Sequence, residues 1–486
     1  MRTTLWVGPL VLAATAVIAI QPPAAFATGV AYGAAPRPQQ AKRGVAEVTH
    51  CPDGGIVAVG DSTQRHIYAV RSSMALTIWE RRYHVHRWGV PANEAESIGE
   101  SIVELSDGTG FVIAGTTRSA PGGRDAFLLK IDCKGDPEWV QIYGTSEDEG
   151  AYDLMETRVS DSAGRAGAWG LIVSGFATSQ YGQGGAGGSR HGLLFRTDSV
   201  GVLQQDYVYP TLHGPSELVG LTQGVSNGID DVVAVGVLRG DEGRSAYVLQ
   251  VQANSLLPVA GGTCAYPGLG LARFNAAVAL SAVGPSDPGS WVLTGGTRPG
   301  ANAPGQAYLV RTSAHPCVPV LQATFGQQGR TARAHDVQRT DALAGSHFAG
   351  DVVVTGFAQQ GGGASDLDAF LMRLDAATMV PSFRRLYGGR GHEVGRSLAV
   401  LDDGFAIAGR TTTDWGADMD LQDLYLVGTD ADGISGPRCQ SDWHVEPRYL
   451  DPHPRPVHVY RTPVLERIRP DIEDLELADT LVPTCP

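Results

Sequence analysis

A short strand-forming run that ends in glycine recurs along this chain, and this repeat limits the possible folds more than any other feature. Each copy is a β-branched or small apolar segment, which favours extended backbone. The closing glycines lie 55, 60, 61, 59, 61 and 53 residues apart, at Gly60, Gly115, Gly175, Gly236, Gly295, Gly356 and Gly409. A regular period of this length indicates one supersecondary unit used seven times.

Each repeat contains three further strand-like segments. After the glycine come a Gly- and Ser-rich turn, an apolar run with a polar first residue, and a closing segment that ends in an aromatic residue and glycine in four of the repeats. The third further segment precedes the glycine-ending strand. No helical period occurs in the repeats. Because one four-stranded sheet cannot bury both faces alone, we predict an all-β, seven-bladed β-propeller with four-stranded blades. A linear β-solenoid is the rival architecture, but its repeats are usually shorter and carry fewer hairpin turns.

The best-formed repeat carries a recognisable set of motifs. It reads Gly-Phe-x-x-Ala-Gly at 110–115, Asp-Ala-Phe-Leu-x-Lys-x-Asp at 125–132 and Trp-x-x-x-Tyr-Gly at 139–144. This pattern resembles bacterial β-propeller repeat proteins of the delta-60 and SBBP type over roughly residues 44–446. The fourth and fifth repeats depart from it, since no Asp begins their third strands. The resemblance implies an extracytoplasmic propeller and no assigned chemistry.

The chain ends suggest export and a separate tail. Residues 1–27 read as a signal peptide, with Arg2, an apolar run and the small-x-small site Ala25-Phe26-Ala27; an uncleaved anchor is the alternative. We predict a flexible lead-in at 28–43, the propeller at 44–446 and a Pro-rich tail at 447–486 that packs on or clasps it. Blade 7 is predicted to end with 443–446, so that no strand is exchanged between the chain ends.

The net charge of the chain narrows the range of possible binding partners. The net charge is −14, which disfavours nucleic acid and anionic membranes as partners. No segment after the signal approaches the roughly 20 apolar residues that a membrane span requires. We therefore expect a secreted or otherwise extracytoplasmic soluble protein, periplasmic or extracellular. The sequence does not determine its oligomeric state.

Six cysteines in an exported chain indicate disulfides rather than metal or redox chemistry. Wide spacing and the absence of C-x-x-C favour the same interpretation. In the predicted blades, all but the last cysteine fall in turns on one face of the disc. The predicted pairs are Cys439 with Cys485, Cys264 with Cys317, and Cys51 with Cys133.

Acidic residues recur where the chain enters three of the predicted innermost strands, at Glu96, Glu149 and Glu393. In a propeller this point lies near the mouth of the central channel. Converging carboxylates could bind a hard cation such as Ca²⁺, and a solvated acidic rim is the alternative. Because only three of seven repeats carry the acids, a symmetric ring of carboxylates is excluded.

A second acidic group lies in the last repeat. Asp414, Asp418 and Asp420 suggest a calcium loop, although the spacing does not match an EF-hand and local turn hydrogen bonds would also explain it. Trp415 beside them is a candidate ligand-binding aromatic. His84 and His86 alternate on a predicted strand and so share a face, but no third metal ligand is identifiable nearby.

No nucleophile elbow, His-Glu-x-x-His motif or phosphate loop occurs in the sequence. We therefore predict a non-enzymatic binding scaffold for a protein or glycan outside the cytoplasm. We expect no cofactor other than calcium. One alternative is an enzyme acting on a polysaccharide or other polymer at the channel mouth, which would need paired carboxylates from different blades. A purely structural surface component is another.

Overall fold

The fold is taken from a computed structural model of the chain. It describes residues 30–32, 39–62, 66–73, 77–87, 96–118, 123–160, 166–179, 188–226, 229–240, 243–280, 289–340, 351–360, 366–388, 391–412, 423–436, 440–450, 453–461, 463, 465–468, 470–476 and 481–483. Within these ranges, no helix is long and apolar enough to cross a membrane.

Seven antiparallel sheets form the blades of a propeller, which confirms the predicted fold class. The chain begins with β1 (Val30–Tyr32) and then builds the blades from the channel outward. Blades 1 to 3 comprise β2 (Gln39–Glu47), β3 (Ile56–Ser62), β4 (Ile67–Ser72), β5 (Thr77–Arg87); β6 (Glu96–Glu104), β7 (Phe111–Arg118), β8 (Arg124–Ile131), β9 (Pro137–Gly144); and β10 (Glu149–Ser160), β11 (Ala166–Ser179), β12 (Ser189–Asp198), β13 (Leu203–Tyr209).

The remaining blades follow the same order. Blades 4 to 7 comprise β14 (Ser216–Ser226), β15 (Ile229–Gly240), β16 (Gly243–Gln252), β17 (Pro258–Tyr266); β18 (Leu271–Leu280), β19 (Ser290–Arg298), β20 (Gln306–Thr312), β21 (Pro319–Phe325); β22 (Ala332–Arg339), β23 (Asp351–Gln359), β24 (Leu367–Asp375), β25 (Pro381–Tyr387); and β26 (Glu393–Val400), β27 (Gly404–Thr411), β28 (Asp423–Asp430).

The fourth strand of blade 7 comes from the other end of the chain. Val30–Tyr32 pairs antiparallel with β28, so the N-terminal segment closes the ring. The prediction that blade 7 ends with 443–446 and that no strand is exchanged is therefore wrong. Likewise, the predicted lead-in at 28–43 contains β1 and the start of β2.

The C-terminal tail runs around the rim of the disc as a belt. It adds an outer strand to six of the seven blades, in the order 6, 5, 4, 2, 1 and 7, and meets blade 3 only at a Thr211–Val459 bridge. The belt strands are β29 (Ser441–Asp442), β30 (Arg448–Tyr449), β31 (Arg455–Pro456), β32 (Glu466–Ile468), β33 (Pro470–Glu476) and β34 (Leu481–Pro483). The last of these pairs with β1, so the two chain ends meet on blade 7.

The repeated glycine has a steric cause. A Cβ on Gly115 would lie 1.9 Å from the Ile98 carbonyl oxygen, and one on Gly409 would lie 1.9 Å from that of Val394. Both oxygens belong to the adjacent innermost strand, so only glycine permits this approach. The apolar runs on either side of the glycine are fully buried and form the cores between blades.

Buried tyrosines on the fourth strands join consecutive blades. Each hydroxyl donates to a carbonyl in the third-to-fourth turn of the next blade at 2.6–2.7 Å, as for Tyr83 to Gly135, Tyr143 to Gly201, Tyr209 to Leu256, Tyr266 to Pro316 and Tyr387 to Gly433. Phe325 takes this position in blade 5, so the hydroxyl link from blade 5 to blade 6 is missing. In five of the seven blades, a fourth-strand tyrosine is thus an inter-blade connection.

Two disulfides also join neighbouring blades, and both predicted pairs are confirmed. Cys51–Cys133 links blade 1 to blade 2, and Cys264–Cys317 links blade 4 to blade 5. Cys264 lies on β17 itself rather than in a turn. Cys439 and Cys485 lie outside the described residues, so their pairing stays a prediction.

Candidate functional site

The innermost strands of all seven blades enclose a central channel of about 690 Å³. That volume is within the range of small-ligand sites. The entry face is defined here as the face where the innermost strands begin, and the exit face as the face where they end. The channel wall runs from mid-strand to the exit face and includes acidic, amide, imidazole, guanidinium and aliphatic groups.

A β-bulge interrupts each innermost strand of blades 2 to 7 at the same point. The bulged residues are Glu100, Tyr152, Val219, Asn275, His335 and Arg396. All of them except Glu100 line the channel. A bulge turns an extra residue out of the alternating pattern. Here it gives the channel a band of chemically different side chains in an otherwise apolar architecture.

Asp153 and Asp336 follow the bulges of blades 3 and 6, and each spans two blades. Asp153 accepts hydrogen bonds from the Leu221 backbone N–H at 3.0 Å and the Ser101 hydroxyl at 2.9 Å. Asp336 accepts one from the Leu398 backbone N–H at 2.8 Å. Burial raises the pKa of Asp336 to about 7, backbone hydrogen bonds oppose this, and the charge of Asp153 adds to it.

Three glutamates lie at the exit mouth of the channel. Glu104 accepts backbone N–H groups of the blade 1 turn, from Thr49 at 2.7 Å and Cys51 at 2.9 Å. Burial alone would raise the pKa of Glu104, but these bonds outweigh it and hold the pKa below its ordinary value. Glu156 accepts the Ser106 backbone N–H at 2.9 Å.

The third of these glutamates, Glu47, lies among other acids. Burial raises the pKa of Glu47, and the charges of Asp402 and Glu104 raise it further, while a hydrogen bond from the Asp402 backbone opposes the rise. The exit mouth thus concentrates negative charge.

An imidazole and a guanidinium group lie close together where blades 6 and 7 line the channel. His335 Nδ1 lies 2.7 Å from the Gly395 carbonyl oxygen, and Arg396 contacts His335 Nε2 at 3.4 Å. Burial, and then the charge of Arg396, holds the pKa of His335 well below its ordinary value. The imidazole is therefore neutral, and its Nδ1–H donates the hydrogen bond that the Gly395 carbonyl oxygen accepts.

The structure separates the predicted entry-face acids from the channel. Glu96, Glu149 and Glu393 do begin innermost strands, but none belongs to the channel wall. Glu149 is buried and accepts the Thr145 N–H and hydroxyl, both at 2.8 Å. Glu393 accepts the Thr411 hydroxyl at 2.7 Å. Their described contacts are within and between blades, and calcium at these residues stays a prediction.

Other predicted site residues have different outcomes. Asp414, Trp415, Asp418 and Asp420 lie outside the described residues. The His84 and His86 rings are 5.6 Å apart on one face of β5, with His66 close to His84. Among the described residues, no three His, Cys, Asp or Glu side chains are arranged to hold a metal ion.

The sequence analysis missed the bulge residues, although a signal for them exists. Four innermost strands contain a small residue, a polar or aromatic residue, and then Asp or Ser: Gly99-Glu100-Ser101, Ala151-Tyr152-Asp153, Ala334-His335-Asp336 and Gly395-Arg396-Ser397. A polar pair at that point conflicts with a continuous buried strand. This conflict marks the channel wall.

No protein-family model matches the chain, and no curated protein matches it in sequence. Among solved structures, the chain is similar to a mutant of the Synechocystis apocarotenoid oxygenase, with 11% identity and a TM-score of 0.40 over 90% of this chain and 96% of that one. It is also similar to an exo-inulinase from Aspergillus awamori, with 11% identity and a TM-score of 0.33 over 93% and 98% of the two chains.

Proposed function

We propose that this protein is a non-enzymatic, extracytoplasmic binding scaffold whose central channel receives a polar ligand, part of a glycan or of another protein. One observation carries the proposal. Every acidic residue that lines the described channel accepts a backbone hydrogen bond from a neighbouring blade; these residues are Glu47, Glu104, Asp153, Glu156 and Asp336.

This bonding pattern favours structure over catalysis. A general acid, general base or nucleophile must reach the reacting atom of the substrate. A carboxylate that satisfies main-chain donors of another blade is held to the wall, and moving it would leave buried N–H groups without acceptors. The channel carboxylates therefore act as connections between blades.

The rest of the molecule supports a rigid scaffold. Two disulfides, the tyrosine links and the belt all join one blade to the next. Disulfides are typical of oxidising compartments, and the repeat motifs resemble those of the delta-60 and SBBP type, which implies an extracytoplasmic propeller. Recognition residues are commonly presented by scaffolds of this kind.

The test is a paired measurement of binding and turnover. The mature protein is applied to an array of polysaccharides and oligosaccharides, and bound material is then assayed for new reducing ends. We expect retention without product. The test variant is Asn275→Ala, which removes a channel amide that donates to Ala334 O at 2.7 Å. We expect this variant to weaken retention. Retention that is identical in this variant would argue against the channel as the binding site.

A polymer-cleaving enzyme is the second candidate, because Asp336 has a pKa of about 7 and interacts electrostatically with Asp153 across the channel. Glycoside hydrolysis uses two carboxyl groups that flank the scissile bond, one of which must be protonated. Under this hypothesis Asp336→Asn abolishes product release while ligand retention persists. Under the scaffold hypothesis there is no product to lose, and the variant changes only the stability of the ring.

A further inference from the structure

Four arginines line a small pocket on the entry face, between blades 4, 5 and 6. Arg244, Arg273 and Arg333 lie near the starts of β16, β18 and β22. Arg298 ends β19. The pocket has a volume of about 50 Å³. In a chain with a net charge of −14, this concentration of cations requires an explanation.

The junction between blades 3 and 4 offers a comparison for two of these positions. Between blades 3 and 4, Arg190 at the start of a third strand pairs with Glu217 on the next innermost strand, at 3.4 Å. Between blades 4 and 5 the same two positions are Arg244 and Arg273. An arginine therefore occupies the position in this junction that the glutamate occupies in the neighbouring one.

Two glycines line the pocket at positions where other blades have larger side chains. The residue after the repeated glycine is Asp61, Thr116, Phe176, Val237, Phe357 or Arg410 in the other blades, but Gly296 in blade 5. A Cβ on Gly296 would lie 3.0 Å from Cγ and 3.1 Å from Nε of Arg333. Gly305, at the blade 5 position that corresponds to Arg244, also lines the pocket.

Among the residues that the structure describes, no carboxylate forms an ion pair with Arg244, Arg298 or Arg333. Burial, followed by the charges of Arg298 and Arg244, lowers the pKa of Arg333. Arg298 and Arg244 therefore repel Arg333, and a bound anion would relieve this repulsion.

We propose that this arginine pocket binds one tetrahedral oxyanion, a phosphate or sulfate group, free or as the monoester of a ligand at the entry face. Guanidinium groups bind such oxygens through charge-assisted, often bidentate hydrogen bonds. Cations that approach from three blades suit the several terminal oxygens of a tetrahedral anion better than the two of a planar carboxylate. The pocket is separate from the channel, so its ligand does not depend on the function proposed above.

The test measures affinity by calorimetry and the shift in melting temperature. The probes are inorganic phosphate, inorganic sulfate, glucose 6-phosphate and glucose 6-sulfate, each compared with chloride at the same ionic strength. We expect phosphate or sulfate to raise the melting temperature where chloride does not. Tighter binding of the inorganic ions than of the monoesters would identify a free anion as the ligand, and the reverse would identify an esterified one.

Three variants separate binding from folding. Arg333→Met should weaken anion binding about tenfold or more and, by removing repulsion, should raise the melting temperature of the unliganded protein. Gly296→Val keeps every charge but displaces Arg333, and should also weaken binding. Arg190→Met, at the matched and already paired position, should leave the affinity unchanged. The proposal is overturned if chloride stabilises as well as phosphate and sulfate, or if Arg333→Met binds like the native protein.

Discussion

The junctions between blades 2 and 3 and between blades 6 and 7 use the same motif but balance its charges differently. Each has an aspartate at the start of a third strand, Asp125 or Asp368, and a glutamate at the start of the next innermost strand, Glu149 or Glu393. A glycine packs against each aspartate, since a Cβ there would lie 2.0 Å from its Oδ1. The two sites are therefore closely comparable.

An arginine makes the difference. Arg87 of blade 1 donates to Asp125 from Nε at 2.8 Å and from a terminal nitrogen at 2.7 Å. Asp368 instead has a hydrogen bond from Gln360, and its pKa rises to about 7 through burial and then the charge of Glu393. The first junction contains an ion pair next to Glu149, the pKa of which burial raises to about 7. In the second junction the aspartate itself has no cation and has a pKa of about 7.

The largest expected effect comes from breaking the ion pair. Arg87→Met leaves Asp125, which is fully buried, without its cation. We expect the free energy of unfolding to fall by about 3–5 kcal/mol, as measured by chemical denaturation at neutral pH. Arg87→Met combined with Asp125→Asn should recover part of the loss, because no buried charge remains. Equal denaturation midpoints for Arg87→Met and the native protein would show that the pair contributes no stability.

An intermediate effect is expected from removing the titrating group. The folded pKa of Asp368 is about 7 against an ordinary value of 3.8, so the folded protein binds the proton more tightly. This group's contribution to stability therefore falls as pH rises from about 4 to about 7. Asp368→Asn should flatten that fall and stabilise the protein above pH 7 by on the order of 1–4 kcal/mol.

The measurement is the denaturation midpoint as a function of pH. Asp125→Asn is the matched control, and it should destabilise the protein, because Arg87 loses its partner. If Asp368→Asn kept the native slope between pH 4 and 7, another group would be responsible for it.

The smallest effect should follow from supplying a cation to the second junction. Gln360 already contacts Asp368, so Gln360→Arg places a guanidinium beside it. We expect a lower pKa for Asp368 and a gain of about 1 kcal/mol at neutral pH, with the pKa followed by NMR titration. Gln360→Met is the uncharged control. An unchanged or higher pKa in Gln360→Arg would mean that the geometry of Arg87 cannot be reproduced from this side.

The blades could be predicted from sequence because their cause is local and repeated. Gly115 and Gly409 meet the same backbone obstacle in different blades, so the same residue recurs at the same spacing. The disulfides followed from the turns that this spacing defines. The exchanged strand was missed because Val30–Tyr32 is short, carries no repeat motif and pairs through its backbone, which any sequence can supply.

The sites were harder to predict because they depend on departures from the repeat. His335 and Asp336 are separated from Asp153 by more than 180 residues, and only ring closure brings them around one channel. The arginine pocket arises from a charge reversal at Arg273 and a missing side chain at Gly296. Each is unremarkable alone, and their meeting depends on the packing of three blades.

The belt has a consequence for the aggregation of the molecule. The outermost strand of a propeller blade exposes unpaired N–H and C=O groups, and such edges can pair with other chains. The tail covers these edges on six of the seven blades, and its last strand completes this cover on blade 7. A chain that lost residues 447–486 would present several open sheet edges around one disc. Protection of these six edges from edge-to-edge aggregation therefore also requires β34 to be in place on blade 7.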